Sequence, residues 1–242
     1  MNRVPLSEAD HRVSCEIQAR LELNAPNYTS WIVRQASRHI GRRLLDIGCS
    51  TGNVTRHFTG CELLVGVDPN PYALDVGRAE WAGGRPEVQL LPITIPSDAF
   101  LALERFAFDS ITCLNVLEHV QNDLEALRQM HQVLAPGGRL FLLVPANQWL
   151  YGSMDAADQH CRRYTRRGLA QTVAMAGFTV RSLRFMNAPG VAGWFINGRI
   201  LRRTLIPSTQ AGLFDRCVPF IERLEAAFAP PIGQSLVLVA DR

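Results

Sequence analysis

Short apolar runs alternate with amphipathic stretches along most of the chain. Seven of the runs have the length of strands, and helical patterns separate the first five, notably at 70–81 and 121–134. Alternating strands and helices predict an α/β fold with a doubly wound, mostly parallel, seven-stranded sheet. The predicted strands are 43–48, 62–68, 87–93, 108–114, 138–145, 178–185 and 235–241.

Helical patterns also occupy two segments outside that alternation. Residues 9–23 are amphipathic, and a second helix opens near Tyr28. Residues from about 186 to 231 lie between the last two predicted strands and indicate a helical cap, in which 213–228 form one helix. We therefore expect a single domain, 1–242, with a helical N-terminal segment and a cap near its C-terminus.

Composition excludes only a few classes of protein. The net charge of +3 over 242 residues is too small to predict nucleic-acid binding. The six cysteines form no Cys-x-x-Cys pair, which favours reduced, buried thiols over disulfides or zinc. Residues 1–10 are polar and lack the apolar centre of a signal peptide, and no apolar run is long enough to span a bilayer. These features predict a cytoplasmic protein.

The first two predicted strands carry a ligand-binding pattern. Residues 44–52 join a strand to a glycine-containing turn, and the second strand ends at Asp68. A strand, a tight turn, a helix and a second strand that ends in a carboxylate form a nucleoside-binding unit. A dinucleotide fingerprint needs Gly at the third and sixth positions from Gly48, where this chain has Ser50 and Asn53. A dehydrogenase is therefore the weakest interpretation.

The pattern Asp-x-Gly-x-x-x-Gly at 46–52 resembles the first motif of class I S-adenosylmethionine-dependent methyltransferases. Residues 109–120 resemble the fourth-strand motif of that family, and 134–142 its Pro-Gly-Gly turn into the fifth strand. The resemblance implies a Rossmann-like methyltransferase fold whose core, about 40–145, binds S-adenosylmethionine. It implies cofactor-binding roles for Tyr28, Asp46, Gly48, Cys49, Gly52, Asp68, Pro69, Ile93 and Asn115.

The chain departs from the family pattern in two places. Residues 90–96 lack the Asp that often accepts a hydrogen bond from the adenine amine, so we expect backbone near Ile93 to contact adenine. Ser50 replaces a loop glycine, and we expect the turn to accept it at a negative φ.

Residues 146–165 follow the fifth predicted strand and are expected to line the acceptor side, because ligands in such sheets bind beyond the carboxyl ends of the strands. Asp155 followed by His-Cys-Arg-Arg-Tyr-Thr at 160–165 resembles a bacterial small-molecule methyltransferase subgroup associated with glycosyltransferase and natural-product pathways. The predicted substrate contacts are Trp149, Tyr151, Arg162, Arg163 and, from the cap, Trp194. An Arg suits an acceptor carboxylate or phosphate. The alternative is that one Arg pairs with Asp155 or Asp158 and the other caps the following helix.

The predicted catalytic residues are His160, His119 and Tyr164. His160 is the leading general base, because an imidazole near neutral pKa accepts the proton that an acceptor hydroxyl loses during methyl transfer. The alternative is that His160 orders the loop by bonding a carbonyl. Tyr164 either hydrogen-bonds the acceptor or wedges the loop onto the core.

A metal site is the competing interpretation of some of these residues. Asn115, Glu118 and His119 lie at i, i+3 and i+4, similar to the Glu-x-x-Glu-His that holds a divalent ion in ubiquinone-type O-methyltransferases and small-RNA 2′-O-methyltransferases. Together with His160 they form a candidate site for Mg²⁺ or a softer metal. Because Asn115 offers only a neutral oxygen, we favour a metal-free enzyme.

The segment 190–206 combines apolar residues with three arginines. It predicts a cap helix, a dimer contact or a basic amphipathic helix on a membrane surface, and we favour the cap. The sequence as a whole predicts S-adenosylmethionine-dependent methyl transfer to a hydroxyl of a small-molecule or lipid-linked acceptor, in natural-product or glycoconjugate biosynthesis. The alternatives are an RNA or protein methyltransferase and a non-catalytic cofactor-binding module.

Overall fold

The computed structural model describes residues 24–81 and 88–242. Its strands are β1 (Arg43–Ile47), β2 (Leu63–Val67), β3 (Val88–Leu91), β4 (Phe108–Leu114), β5 (Leu134–Pro145), β6 (Thr179–Met186) and β7 (Ser235–Asp241). They form one sheet of order β3–β2–β1–β4–β5–β7–β6. The first five strands pair in parallel, and β7 is antiparallel to both of its neighbours. The predicted fold class is confirmed.

Helices pack on both faces of this sheet. The described α-helices are α1 (Pro26–Ser37), α2 (Pro71–Trp81), α3 (Asp98–Leu101), α4 (Asp123–Val133), α5 (Ser153–Ala157), α6 (Arg166–Met175), α7 (Ala188–Trp194) and α8 (Ser208–Ala227). One face is covered by α3, α4 and α6, and the other by α1 and α8.

The central strands β1, β2, β4 and β5 are mostly apolar because both of their faces are buried. Successive side chains of a strand point to opposite faces of the sheet. In β1, Leu44 joins the core beneath α1 and α8, whereas Leu45 joins the core beneath α4 and α6. In β5, Leu140 and Phe141 divide in the same way. A continuous apolar run in the sequence therefore corresponds to a central strand with a core on each side.

The seven predicted strands are present, with shifted ends. β5 begins at Leu134 rather than at 138, because Leu134 already pairs with Phe108 before an irregularity in the register. The helices predicted at 70–81 and 121–134 appear as α2 and α4. The helix predicted at 9–23 and the first residue of the strand predicted at 87 lie outside the described residues.

The cap between β6 and β7 differs from the expectation of one helix over 190–206. α7 ends at Trp194 and continues as a π-helical turn, Phe195–Ile200. Arg202 then takes a φ of 50°, a left-handed conformation that ends helices. The second cap helix, predicted at 213–228, is α8. In the part of the chain that the structure describes, no helix has the length and hydropathy needed to cross a bilayer.

Two carboxylates of α8 hold the cap in place. Asp215 is 4% exposed and accepts hydrogen bonds from the backbone N–H of Asn27 at 3.1 Å and of Tyr28 at 2.9 Å. The Asn27 side-chain amide donates to the same carboxylate at 2.9 Å. Glu225 accepts from two backbone N–H groups at the start of α7, at 3.0 and 2.8 Å. The cap is thus tied to α1 through the otherwise unpaired N–H groups at a helix start.

Replacing Asp215 with Ala should lower the free energy of unfolding by about 2–4 kcal/mol, because three N–H donors lose a charged acceptor. The matched control is Glu222→Ala, which removes an ion pair with the half-exposed Arg34 between the same two helices. That loss should cost less than about 1 kcal/mol. Urea unfolding followed by circular dichroism measures both, and equal losses would contradict an anchoring role for Asp215.

Candidate active site

The glycine loop lies at the carboxyl end of β1 and is held against β2. The N–H groups of Gly48 and Cys49 both donate to the carbonyl of Val67, at 2.7 and 3.2 Å. Gly48 has a φ of +75°, and a Cβ at this position would lie 2.2 Å from Cγ2 of Val116 in the turn after β4. Only glycine therefore lets the loop approach this turn so closely.

The expectation of a negative φ at Ser50 is wrong, because its φ is 48°. The Ser50 N–H donates to Oδ2 of Asp68 at 2.9 Å, and this charge-assisted bond offsets the cost of the left-handed conformation. Gly52, with a φ of 79°, closes the turn by donating to the carbonyl of Cys49 at 2.8 Å.

Asp68 follows β2 directly and is half-buried beside the glycine loop. Its Oδ2 accepts from Ser50, and its Oδ1 accepts from the N–H of Asn70 at 2.8 Å. A carboxylate is an acceptor of the kind that binds ribose hydroxyls. The position therefore fits the predicted contact with a nucleoside.

Asp46 is buried between the glycine loop and β4. Its carboxylate is 2% exposed and accepts hydrogen bonds from the hydroxyls of Thr55, just beyond the loop, and of Thr112 in β4, the latter at 2.6 Å. Burial raises the pKa of Asp46 to about 6, although both hydrogen bonds act in the opposite direction. The visible role of Asp46 is to hold the loop onto β4.

Three further predicted cofactor residues lie around this edge of the sheet. The side chain of Cys49 is buried in a small cluster with Leu74 and Leu90. Pro69 is exposed after β2, and Ile93 is half-buried after β3. Their contacts with the cofactor stay predictions.

Asn115 and Tyr28 are the two remaining residues for which a cofactor contact was predicted. Asn115 is exposed directly after β4, with a φ of 52°, and its N–H donates to the carbonyl of Leu143 at 2.8 Å. The Tyr28 side chain is hydrogen-bonded to Ser235 and Asn187, and burial raises its pKa. Ser235 begins β7, which lies three strands away from β1, so Tyr28 is placed beneath the cap rather than beside the glycine loop.

The turn after β4 carries a buried carboxylate with no donor. Glu118, in the 3₁₀ turn Leu117–His119, is 0% exposed, and neither oxygen accepts a hydrogen bond from another described residue. Burial raises its pKa to about 8, and the charge of His160 acts in the opposite direction. Ligand atoms of Glu118, His119 and His160 lie within 4.8 Å of one another. Three of the four predicted metal-ligating residues are therefore brought together.

Asp155 lies at the centre of the acceptor loop, 146–165. It is 0% exposed, and its carboxylate contacts Nε of Arg163 at 2.6 Å, Nδ1 of His160 at 2.9 Å and Nε1 of Trp194 at 3.0 Å. The N–H of Gly152 donates to it at 2.9 Å. Burial raises the pKa of Asp155, but the bond to His160, the Arg163 charge and the Trp194 bond outweigh it and lower the pKa overall.

His160 contacts a carboxylate at each ring nitrogen. Besides Asp155 at Nδ1, its Nε2 lies 3.1 Å from Oδ2 of Asp158, and the ring of His119 packs edge-on with centroids 4.8 Å apart. Burial lowers the pKa, but the two carboxylates outweigh it and raise the pKa to about 9. In this arrangement the ring is an imidazolium at neutral pH and accepts no proton, so the structure does not support the predicted general base. His160 orders the loop through carboxylates rather than through a carbonyl.

The two loop arginines bind protein groups. Arg163 is 3% exposed and paired with Asp155, which is the pairing in the predicted alternative, and its contact with an acceptor anion stays a prediction. Arg162 pairs with Asp123 at 2.7 Å, and its acceptor contact stays a prediction. Neither Arg caps the following helix, since the hydroxyl of Thr165 does so by accepting the N–H of Gly168.

Tyr164 packs the loop onto the core. It is 5% exposed, and its hydroxyl donates to Oδ2 of Asp123 at 2.9 Å. Its N–H donates to the carbonyl of Pro145, and its carbonyl accepts from Asn147, both at 2.8 Å. Burial raises its pKa. The buried and bonded hydroxyl agrees with the alternative that Tyr164 wedges the loop onto the core, and the catalytic role stays a prediction.

The predicted aromatic substrate contacts have different positions. Trp149 is 50% exposed, and its ring centroid lies 6.0 Å from that of Phe195 in the cap. The Tyr151 hydroxyl donates to the carbonyl of His160 at 2.8 Å. Trp194 lies under the guanidinium of Arg163, 4.6 Å from ring centroid to Cζ. Of the three, Trp149 offers the most surface to an acceptor.

Two supports of the site were missed at the sequence level. Thr55 and Thr112 supply the hydroxyls that bind Asp46. Asp155 binds Trp194 in addition to the arginine that was predicted as its partner. Thr112 was visible as a polar residue within an apolar strand, which signals a buried partner. No local signal distinguishes Asp155 from an exposed loop acid.

The chain is similar to known methyltransferases. A family model described as a methyltransferase domain matches residues 10–183. Over 139 residues the chain is 31% identical to a ubiquinone biosynthesis O-methyltransferase of Aromatoleum aromaticum, across 56% of this chain and 58% of that relative. Over 106 residues it is 38% identical to a tRNA U34 carboxymethyltransferase of Klebsiella pneumoniae, across 42% of this chain and 30% of that relative. The matches thus span about a third to somewhat over half of those relatives.

A solved structure has the same fold. The S-adenosylmethionine-dependent methyltransferase from Mesorhizobium loti matches 87% of this chain and 96% of its own length, with a TM-score of 0.56. Its sequence identity to this chain is 16%, so the likeness concerns the fold alone.

Asp46→Asn should change the pH dependence of stability. The folded pKa of about 6 lies above the ordinary 3.8, so between these values folded Asp46 binds more protons than unfolded Asp46. The free energy of unfolding of the wild type should therefore fall by about 3 kcal/mol, relative to the variant, as the pH rises through that window. Urea unfolding across the window measures the slope. The exposed Asp98→Asn is the control, and parallel curves for Asp46→Asn and wild type would contradict the assignment.

Proposed function

The chain belongs to the S-adenosylmethionine-dependent methyltransferases, and we propose that it methylates a hydroxyl oxygen of a small-molecule or lipid-linked acceptor in a biosynthetic pathway. The observation that carries this proposal is the arrangement of the acceptor loop. Asp155 holds that loop and the cap together beside the turn after β4, and this turn contacts the glycine loop through Val116.

The methyl donor needs little chemical activation by the protein. When bound, S-adenosylmethionine supplies a methyl group on a sulfonium, which is already labile to in-line attack. Alignment and exclusion of water remain for the protein. Gly48 and Gly52 shape the loop that faces the cofactor, and Asp68 offers oxygens to its ribose. Asp46 keeps the loop in place through its two threonine hydroxyls.

The acceptor hydroxyl loses a proton when it is methylated. Glu118, His119 and His160 form a cluster of titratable side chains close to Val116 and hence to the glycine loop. We assign the handling of this proton to the cluster as a whole, since His160 alone is already protonated at neutral pH.

A lipid-linked acceptor is favoured by an exposed surface beside the loop. Trp149 contacts Phe195, which begins an apolar and basic segment, 195–205, that is exposed except at Asn197 and Gly198. Apolar side chains insert into a bilayer interface, and arginines pair with lipid phosphates. The peripheral membrane contact predicted for 190–206 is thus part of this proposal, although the segment is not one helix. The exposed members are Phe195, Ile196, Arg199, Ile200, Leu201, Arg202, Arg203 and Leu205.

The names of the relatives support two acceptor classes. An O-methyltransferase of ubiquinone biosynthesis supports oxygen as the methylated atom. A tRNA U34 carboxymethyltransferase makes RNA the second candidate. The net charge of +3 favours the first class, because recognition of RNA phosphates calls for a larger basic surface. The dimer contact given as an alternative for 190–206 stays a prediction.

Asp68→Ala should weaken binding of S-adenosylhomocysteine by about 10–100-fold, because a hydrogen bond to a charged group contributes ~1.5–3 kcal/mol. Isothermal titration calorimetry measures this, with NAD as a ligand that should not bind. Asp75→Ala, which removes an exposed carboxylate from α2, is the matched control. His160→Ala should retain the affinity and slow turnover. Thermal unfolding of each variant checks the fold, and wild-type affinity in Asp68→Ala would remove this carboxylate from the cofactor site.

Transfer of radiolabelled methyl groups tests the acceptor class. Small hydroxylated compounds, lipid-linked hydroxyl compounds in anionic vesicles, and tRNA are offered in parallel. We expect label in a hydroxyl compound, and label in tRNA alone would overturn the proposal. Ile200→Glu should slow transfer to a vesicle-borne acceptor without changing transfer to its short-chain analogue. The control is Met175→Glu, which changes an exposed apolar residue on α6.

A further inference from the structure

Glu118, His119 and His160 come from two elements that meet between the cofactor and acceptor sides. The first two lie in the turn after β4, and the third lies in the acceptor loop. One ligand atom from each residue lies within 4.8 Å of the other two. The same turn contains Val116, which contacts the glycine loop.

Glu118 brings an uncompensated carboxylate into this cluster. It is 0% exposed, and neither of its oxygens accepts a hydrogen bond from another residue in the described ranges. The nearby guanidinium of Arg163 is itself paired with Asp155. A buried carboxyl group without donors from other residues keeps its charge only when a cation compensates it, and otherwise takes up a proton.

His160 is oriented in the manner of a metal ligand. Its Nδ1 lies 2.9 Å from Oδ1 of the buried Asp155. A carboxylate behind a histidine holds the proton of Nδ1, so an ion that displaces the second proton of the imidazolium binds the lone pair of Nε2. Nε2 faces Oδ2 of Asp158 at 3.1 Å, and the Asp158 side chain is 72% exposed, so it is able to turn and supply a fourth donor.

We propose that Glu118, His119 and His160 bind a divalent transition-metal ion of the Zn²⁺ type. Two imidazoles and one carboxylate suit such ions better than Mg²⁺, which prefers oxygen ligands. Metal–ligand distances of about 2.0–2.2 Å place ligand atoms roughly 3.4 Å apart. The separation of up to 4.8 Å therefore has to shorten by little more than ~1 Å, which is within the reach of side-chain rotation.

This set of ligands differs from the Glu-x-x-Glu-His pattern that the sequence resembles. Asn115 stands at the first position and is exposed, whereas His160 comes from a loop outside that pattern. A second imidazole replaces a carboxylate, and this exchange is the reason for choosing a softer ion. The metal-free enzyme favoured from the sequence is revised on this ground.

Bound beside the acceptor, the ion would lower the pKa of a hydroxyl and orient it. That role rests on the proposed O-methylation, but the binding of the ion does not. Binding is therefore measured on the full chain without cofactor or acceptor, so failure of one proposal is distinguishable from failure of the other.

Titration of chelator-treated, tag-free protein with Co²⁺ tests the site by visible absorption. We expect saturation at one equivalent, with d–d bands that Zn²⁺ abolishes and millimolar Mg²⁺ does not. Absence of the bands in the wild type would overturn the proposal. A thiolate charge-transfer band would also overturn it, because it would assign the ion to a cysteine such as the neighbouring Cys161.

Variants assign the ligands. Glu118→Gln and His160→Gln should each weaken Co²⁺ binding by more than the roughly 10–100-fold typical of changes behind a ligand. His57→Gln changes an exposed histidine outside the cluster and should bind as the wild type does. Without metal, Glu118→Gln should unfold at or above the wild-type temperature, because it replaces a buried carboxyl group that has no hydrogen-bond partner in another residue with an amide that cannot ionise. His119→Gln replaces either variant if that variant does not fold, and unchanged binding in the folded variants overturns the proposal.

Discussion

A carboxylate that is buried away from water needs hydrogen-bond donors or a positive charge beside it, and this requirement determines how the parts of the site are held together. Asp46 receives two threonine hydroxyls and thereby holds the glycine loop. Asp155 meets Arg163, His160, Trp194 and Gly152, which joins the acceptor loop to the cap. Asp215 receives N–H groups of α1 and fixes the cap helix. Glu118 accepts no bond from another described residue and marks the place where a cation fits.

The sheet brings these compensated groups to one edge. Parallel strands end together, so the turns after β1, β2 and β4 are neighbours, and the contact of Gly48 with Val116 is the point where they meet. Cofactor residues come from consecutive βα units, which are local in sequence. Acceptor residues come from the 146–165 loop and the cap, which the antiparallel β7 closes back onto the sheet. Methyl transfer requires the cofactor and the acceptor to be aligned with each other. The packing of the acceptor loop and the cap against the sheet provides this alignment.

The acceptor-loop motif shows how residue type alone misleads. Arginine, histidine and tyrosine are the side chains that bind acceptors, but they are also the side chains that satisfy one another in a long loop. Arg163 and Tyr164 turn inward, and His160 is fixed between Asp155 and Asp158. A connection of this length has to satisfy its own polar groups before it can present any to a ligand. Trp149 is the predicted contact that stays substantially exposed.

Apolar periodicity was sufficient to predict the seven strands and the sheet class, and the motifs at 46–52, 109–120 and 134–142 indicated the cofactor family by resemblance. These features depend on neighbours in the chain. The left-handed Ser50, the two threonine partners of Asp46 and the division of 190–206 at Trp194 were not visible in the same way. Their conformations depend on groups that are distant in sequence and close in space. The meeting of Glu118 with His160 is of the same kind: no local pattern encodes it, and only the packing of the acceptor loop against the β4 turn decides it.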